Sequence, residues 1–113
     1  MENWQSSFYK IRISLSEKIT IEGNIDCSSY LVVAAHNNTG PLFLALLTSG
    51  KSSFSDGVKP LVIKNESNYI TITPATKTTP LSLKNSKHNI LEYNFIPLTI
   101  DLKDKLVLKK ISN

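Results

Sequence analysis

Two segments near the beginning of the chain alternate apolar and polar residues with a period of two. Residues 9–15 (YKIRISL) and 19–25 (ITIEGNI) both follow this pattern. An alternating segment with one apolar face is typical of a half-buried β-strand. Because only the polar SEK of residues 16–18 separates the segments, the pattern predicts a β-hairpin over residues 8–25, with Gly23 at a bulge or a strand end.

The densest apolar stretch, residues 30–47, contains two uninterrupted apolar runs. YLVVAA (30–35) and LFLALL (42–47) flank the polar or turn-forming residues HNNTGP. Each run is much shorter than the roughly 20 residues that a membrane-spanning helix needs. The Asn-Asn-Thr-Gly-Pro segment also interrupts any helix through this region. The stretch is therefore predicted to form two strands with a tight connection, and no membrane span is expected.

Short apolar segments continue to the end of the chain. Further strands are predicted near residues 61–64, 69–73, 81–83, 90–95, 98–102 and 106–111. No window shows a helical period over three turns, and alanine, the best helix former, occurs only four times. The sequence therefore predicts one all-β domain over residues 1–113. We expect an antiparallel β-sandwich, jelly-roll or immunoglobulin-like, of about 8–10 short strands, with a small open barrel as the alternative.

Four prolines, each followed by a leucine, punctuate these segments: Pro41, Pro60, Pro80 and Pro97. Proline has no N–H donor and is tolerated at the first residue of a strand, so each is predicted to start one. Proline and lysine near strand ends also discourage pairing at open sheet edges. We therefore expect the sheet edges of this protein to be protected against pairing with strands of other molecules.

The two apolar runs raise the question of what covers them. Each strand of a two-layer sandwich normally buries one face and exposes the other, yet residues 31–35 and 42–47 are apolar on both. Bare outer side chains would form a patch on the order of several hundred Å², more than a soluble monomer normally exposes. The cover is either the chain's own loop 49–57 or another protein, in an oligomer or a larger assembly. The predicted interface residues are Val33, Leu42, Phe43, Leu44, Leu46, Leu47 and Phe54.

The chain is mildly basic, and its positive charge comes almost wholly from lysine. The net charge is +4, with twelve lysines and one arginine, Arg12. Arginine is the residue best suited to bidentate recognition of phosphate and bases. Phe8, Tyr9, Lys10 and Arg12 do form an aromatic and basic cluster, but Tyr9 falls on the apolar face of its strand. Nucleic acid is therefore not an expected partner.

The start of the chain and its cysteine bear on localisation. Cys27 is the single cysteine, which excludes an intramolecular disulfide. Met1 is followed by ENWQSS, which lacks the basic and apolar regions of a signal peptide. We expect a protein used without secretion, or one at the cell surface whose leader has been removed.

Residues that usually carry catalysis or bind metals are sparse. The two histidines, His36 and His88, lie in different turn-like contexts, and no zinc-binding motif or nucleophile elbow occurs. Asp26 precedes Cys27, and a neighbouring carboxylate raises a thiol pKa, which makes a poor nucleophile. The sequence predicts a protein that is not an enzyme and that has no cofactor and no metal.

Carbohydrate binding is an alternative. Trp4, which precedes the first strand, offers an aromatic platform, and Asn37 and Asn38 form a polar tip between two strands. Turn chemistry alone accounts for asparagines at such positions. The candidate ligand residues of this alternative are Trp4, Asn37 and Asn38.

One stretch carries a family resemblance. YLVVAAHNNTGPLFLAL, followed by a loop and GVKPLVIKNESNYITI, resembles small all-β virion proteins of tailed bacteriophages, namely head-decoration and head-fibre subunits. The likeness covers about residues 30–72. It implies a structural protein that docks on a capsid or tail lattice, with itself or with other virion subunits as partners. The virion, assembled in the host cytoplasm, would be its location. A pilus or adhesin subunit is a further alternative.

Overall fold

The computed structural model describes residues 9–24, 29–36, 40–49, 58–76, 78–87, 90–99 and 105–112. These residues form nine strands and one short 3-10 turn, Glu66–Asn68. The strands are β1 (Tyr9–Ser14), β2 (Lys18–Asn24), β3 (Ser29–Ala35), β4 (Pro41–Ser49), β5 (Val58–Asn65), β6 (Ile70–Thr73), β7 (Leu81–Asn85), β8 (Ile90–Thr99) and β9 (Lys105–Ile111). The predicted all-β class is confirmed.

The strands form two antiparallel sheets. The five-stranded sheet has the order β1-β8-β3-β4-β5, and the four-stranded sheet has the order β6-β7-β2-β9. Both sheets contribute alternate apolar side chains to one buried core, as period-two patterns require. Its largest buried side chains include Tyr93, Phe43 and Phe95 from the first sheet and Ile19 and Leu81 from the second. The predicted antiparallel sandwich is confirmed.

The predicted hairpin over residues 8–25 is wrong, although both of its strands exist. β1 pairs with β8, so that Ile13 lies opposite Leu91, whereas β2 pairs with β7 and β9 in the other sheet. Period-two alternation reports which face of a strand is buried, but it does not report which strand lies alongside. The link between β1 and β2 therefore crosses from one sheet to the other.

Asn85, the last residue of β7, holds this crossing in place. The Ser16 N–H donates to the Asn85 carbonyl oxygen at 2.8 Å, and the Asn85 N–H donates to the Glu17 carbonyl oxygen at 3.0 Å. The Asn85 side chain, fully buried, donates through Nδ2 to the Ile13 carbonyl oxygen at 3.2 Å. Ser16 adopts a positive φ of 71°. The link bonds to a strand of the four-stranded sheet and does not close a hairpin.

The second predicted strand pair is confirmed. β3 and β4 pair antiparallel, with Leu31 opposite Leu46 and Val33 opposite Leu44. The two predicted segments 90–95 and 98–102 merge, as far as the described residues extend, into the single strand β8, with Pro97 in its interior opposite Tyr30.

The prolines follow the expected rule only in part. Pro41 opens β4 and Pro80 immediately precedes β7. Pro60 is the third residue of β5, a strand at the edge of its sheet, and Pro97 lies beside a register shift in β8. Edge strands and bulges tolerate proline as strand starts do, so the prediction that all four prolines start strands is wrong for these two.

Candidate functional site

The apolar runs of β3 and β4 have two different faces. Side chains on the inner face, such as Val32 and Phe43, are fully buried in the core. Leu31 and Val33 of β3, and Leu44 and Leu46 of β4, point to the opposite side and are only half-buried. Each uninterrupted apolar run therefore forms a strand with one face in the core and a second apolar face on the outside of the sheet.

Strand register extends this outer face across the sheet. Leu31 lies opposite Ile96 of β8 on one side and Leu46 on the other, and Leu46 in turn lies opposite Leu61 of β5. In the next row, Val33 lies opposite Leu44. We call this set the apolar face; its members are Leu31, Val33, Leu44, Leu46, Leu61 and Ile96.

The β5 side of the apolar face is the most exposed. Leu61 is 61% exposed, and Ile63, which lies in the register shift of β5, is 57% exposed. One row of the apolar face spans four strands about 4.8 Å apart and the other row spans two; with about 6.6 Å between outward side chains along a strand, the two rows outline roughly 200 Å². Patches of roughly 300–600 Å² are the largest on typical monomers and often mark binding surfaces, and the apolar face is somewhat smaller than these. The apolar face has the size of the centre of an interface rather than of a whole one.

Basic side chains flank the apolar face on both edges of the sheet. On β1, Arg12 donates from Nε to Oε2 of Glu92 at 3.3 Å, and Lys10 lies 3.9 Å from the same carboxylate. On the β5 edge, Lys64 lies 3.8 Å from Glu66, whereas Lys59 has no acidic partner among the described residues. The result is an apolar centre between two partly neutralised basic edges.

The structure divides the predicted interface residues into groups. Val33, Leu44 and Leu46 lie on the apolar face. The assignments of Phe43 and Leu47 are wrong, because alternation turns both side chains into the core, where they are fully buried. The half-buried Leu42 packs against the core cluster and is not part of the apolar face. Phe54 lies outside the described residues, as do Trp4, Asn37 and Asn38.

Sequence reasoning missed three members of the apolar face: Leu31, Leu61 and Ile96. Leu31 belongs to the uninterrupted run of β3. Because side chains two residues apart point to the same face of a strand, the position of Leu31 relative to Val33 would have identified it. Leu61 and Ile96 come from β5 and β8, and only strand order places them in the same row as Leu46. No local pattern carries that information.

Titratable groups in the described part of the chain give little sign of a catalytic cluster. No group of three histidine, cysteine or acidic side chains close enough to hold a metal ion occurs among the described residues. Tyr93 Oη is buried without a hydrogen-bond partner among these residues, and burial raises the pKa of this phenol. The Tyr93 ring stacks near Phe95, with 6.4 Å between centroids, inside the core. No described helix has the length and apolarity to cross a membrane.

Comparison of the chain with protein-family models, with curated proteins and with solved structures finds no match in any of the three.

Proposed function

We propose that the protein is a non-enzymatic structural subunit that docks on neighbouring subunits through the apolar face. The observation that carries this proposal is the cross-strand row of Ile96, Leu31, Leu46 and Leu61 on the outside of the five-stranded sheet. The resemblance of residues 30–72 to virion proteins of tailed bacteriophages suggests the kind of assembly, a capsid or tail lattice.

The sheet edges favour docking by a face over docking by strand addition. Among the strands that the structure describes, those at the sheet edges are β1, β5, β6 and β9. β1 carries Lys10 and Arg12, β5 carries two lysines and Pro60, β9 carries three lysines, and β6 has only four residues. Charges, proline and short length are the devices that prevent edge pairing. A strand-donating pilus subunit, by contrast, needs an open edge.

The strength and salt dependence of docking follow from the residues involved. Complete burial of a leucine side chain contributes about 1.5–3 kcal/mol, and Leu61 is the member with the most surface left to bury. Since the apolar face is smaller than a standard interface, we expect self-association with a Kd of roughly micromolar to millimolar. Two copies docked face to face bring their basic edges together, so added salt should strengthen the association.

Sedimentation velocity over a range of protein concentrations and salt concentrations tests the proposal. We expect the average mass to rise with protein concentration, and to rise further at 1 M salt, where the Debye length is about 3 Å. Leu61→Lys should abolish this rise without loss of thermal stability, because its side chain is mostly exposed. Val107→Lys is the matched control, since Val107 is 41% exposed on β9 of the other sheet.

Two results would contradict the proposal. One is a protein that stays monomeric at every concentration and salt condition. The other is an association that Leu61→Lys leaves unchanged or that Val107→Lys weakens equally, since either would place the contact elsewhere.

A further inference from the structure

The outer face of the four-stranded sheet differs sharply from the apolar face. In β2 and β7 the buried Ile19, Ile21, Leu81 and Leu83 point into the core, so the residues between them point outward. One row across this face runs from Thr73 through Ser82 and Thr20 to Lys109, as the strand register shows. This face is therefore lined with hydroxyl groups and lysines.

Part of this row forms the floor of a cavity. The cavity has a volume of about 430 Å³, which lies within the usual range of small-ligand pockets. Thr20 and Ser82 are each only 7% exposed although they point away from the core. Thr73, Thr79 and Lys18 stand among the residues that line it. Partly desolvated hydroxyls of this kind form stronger hydrogen bonds to a ligand than hydroxyls in open solvent.

Positive charge exceeds negative charge among the described residues at this cavity. Lys109 lies 3.7 Å from Glu22, but Lys18 has no acidic partner among the described residues. Lys84 is not one of the lining residues of the cavity, but it lies directly opposite Lys18 in the register, on the same outward side. It also has no acidic partner in the described part of the chain. Like charges placed directly opposite in a sheet are destabilising. An anion bound between Lys18 and Lys84 would offset that cost.

We propose that this cavity binds an acidic glycan, through a sulfate or carboxylate group held at its edge between Lys18, which lines it, and the neighbouring Lys84. The hydroxyls of Thr20 and Ser82 would donate to the acceptor oxygens of the same ligand. Glu22 supplies the acceptor that sugar hydroxyl groups need, and Pro80 and Ile111 supply limited apolar contact. The described lining residues thus offer lysine donors, hydroxyl groups that can donate or accept, one carboxylate acceptor and some apolar surface, which together complement an acidic sugar.

A nucleic acid fits this cavity less well. No aromatic side chain is among the described residues that line the cavity, so these residues offer no platform for base stacking, a main source of single-strand affinity. The chain's one arginine lies in the other sheet, paired with Glu92. The inference stands independently of the proposed function, because the apolar face lies on the opposite side of the sandwich.

Nuclear magnetic resonance titration of the protein with a sulfated, heparin-derived hexasaccharide tests this inference. We expect amide shifts concentrated in β2, β7 and β9, with little change in β4 and β5. The double variant Lys18→Gln and Lys84→Gln should raise Kd at least tenfold. It should keep or raise the thermal midpoint of unfolding, because it also removes the repulsion between the two ammonium groups. Lys59→Gln with Lys64→Gln, which removes two lysines from the five-stranded sheet, is the matched control and should change Kd less than twofold.

Several outcomes would overturn the inference. The first is no binding of the hexasaccharide, and the second is an equal loss of affinity in both double variants, which would indicate general attraction to the net charge. Equal or tighter binding of a single-stranded oligonucleotide of the same charge would point to nucleic acid. Equal affinity for inorganic sulfate alone would show that the cavity binds an oxoanion and does not recognise a sugar. Equal affinity for neutral maltohexaose would show that the lysines do not contribute to binding.

Discussion

Replacement of Asn85 by alanine tests how the two sheets are joined. The substitution removes the hydrogen bond from Nδ2 to the Ile13 carbonyl oxygen, 3.2 Å long, in a fully buried position. A buried acceptor left without its donor costs about 1–3 kcal/mol, and the space vacated by the amide adds to this. The backbone bonds to Ser16 and Glu17 remain. We expect the free energy of unfolding to fall by about 2–3 kcal/mol.

Urea denaturation measures this change. With a slope of about 1–3 kcal/mol per molar urea, the midpoint should move down by roughly 1–2 M. Asn94→Ala is the matched control, because Asn94 is a half-buried asparagine on the outside of the five-stranded sheet. It should change the free energy of unfolding by less than about 0.5 kcal/mol.

A second substitution separates the hydrogen bond from the side-chain volume. Asn85→Asp keeps the size, but an ionised carboxylate cannot donate to the Ile13 carbonyl. Burial should raise the pKa of this Asp above its unfolded value of about 3.9, so the folded state binds the extra proton. The variant should therefore be closer to wild type at pH 4 than at pH 7. If Asn85→Ala matches wild type, or Asn85→Asp shows the same deficit at both pH values, our account of the crossing is wrong.

Three further predictions concern the core, the two faces of β4 and the β1–β2 link. Tyr93→Phe should raise the free energy of unfolding by about 1 kcal/mol, because the buried hydroxyl has no partner among the described residues. As pH rises above about 10, where the unfolded phenol ionises, wild type should lose more stability in urea than this variant. Leu47→Ala should cost about 2–5 kcal/mol in thermal melts and Leu46→Ala less than half as much, since only the former side chain is fully buried. The pKa of Glu17 is lowered by the Ser14 N–H, by the Ser112 hydroxyl and by Lys110. As pH falls below the ordinary value of 4.5, wild type should therefore lose more stability than Glu17→Gln; an equal loss would show that these contacts do not favour the carboxylate.

Local patterns predicted the strands well because alternation follows directly from the two faces of a strand. The alternation over residues 9–15 and 19–25 predicted two strands, which the structure has at Tyr9–Ser14 and Lys18–Asn24. The short link between the two apolar runs predicted the β3–β4 hairpin. Alternation does not show which strands pair with each other. The Asn85 contacts that send β2 into the other sheet join residues about 70 positions apart in the chain, and no local rule shows them.

The apolar face, likewise, was predicted from the sequence only in part. The excess of apolar residues in 42–47 correctly indicated an apolar outer surface, since Leu44 and Leu46 lie on it. The run could not show by itself which of its leucines face the core, so Leu47 was assigned to the interface although it is fully buried. Leu61 and Ile96 join the surface only through strand order.

Hydroxyl-radical footprinting of side chains tests most directly whether the apolar face is the docking surface. The protein is labelled once when dilute and once at concentrations where sedimentation shows assembly. We expect oxidation of Leu61 and Leu46 to fall severalfold on assembly, while Val107 on the other sheet keeps its rate. Unchanged oxidation of Leu61 in an assembled sample, or protection centred on Val107, would contradict the account.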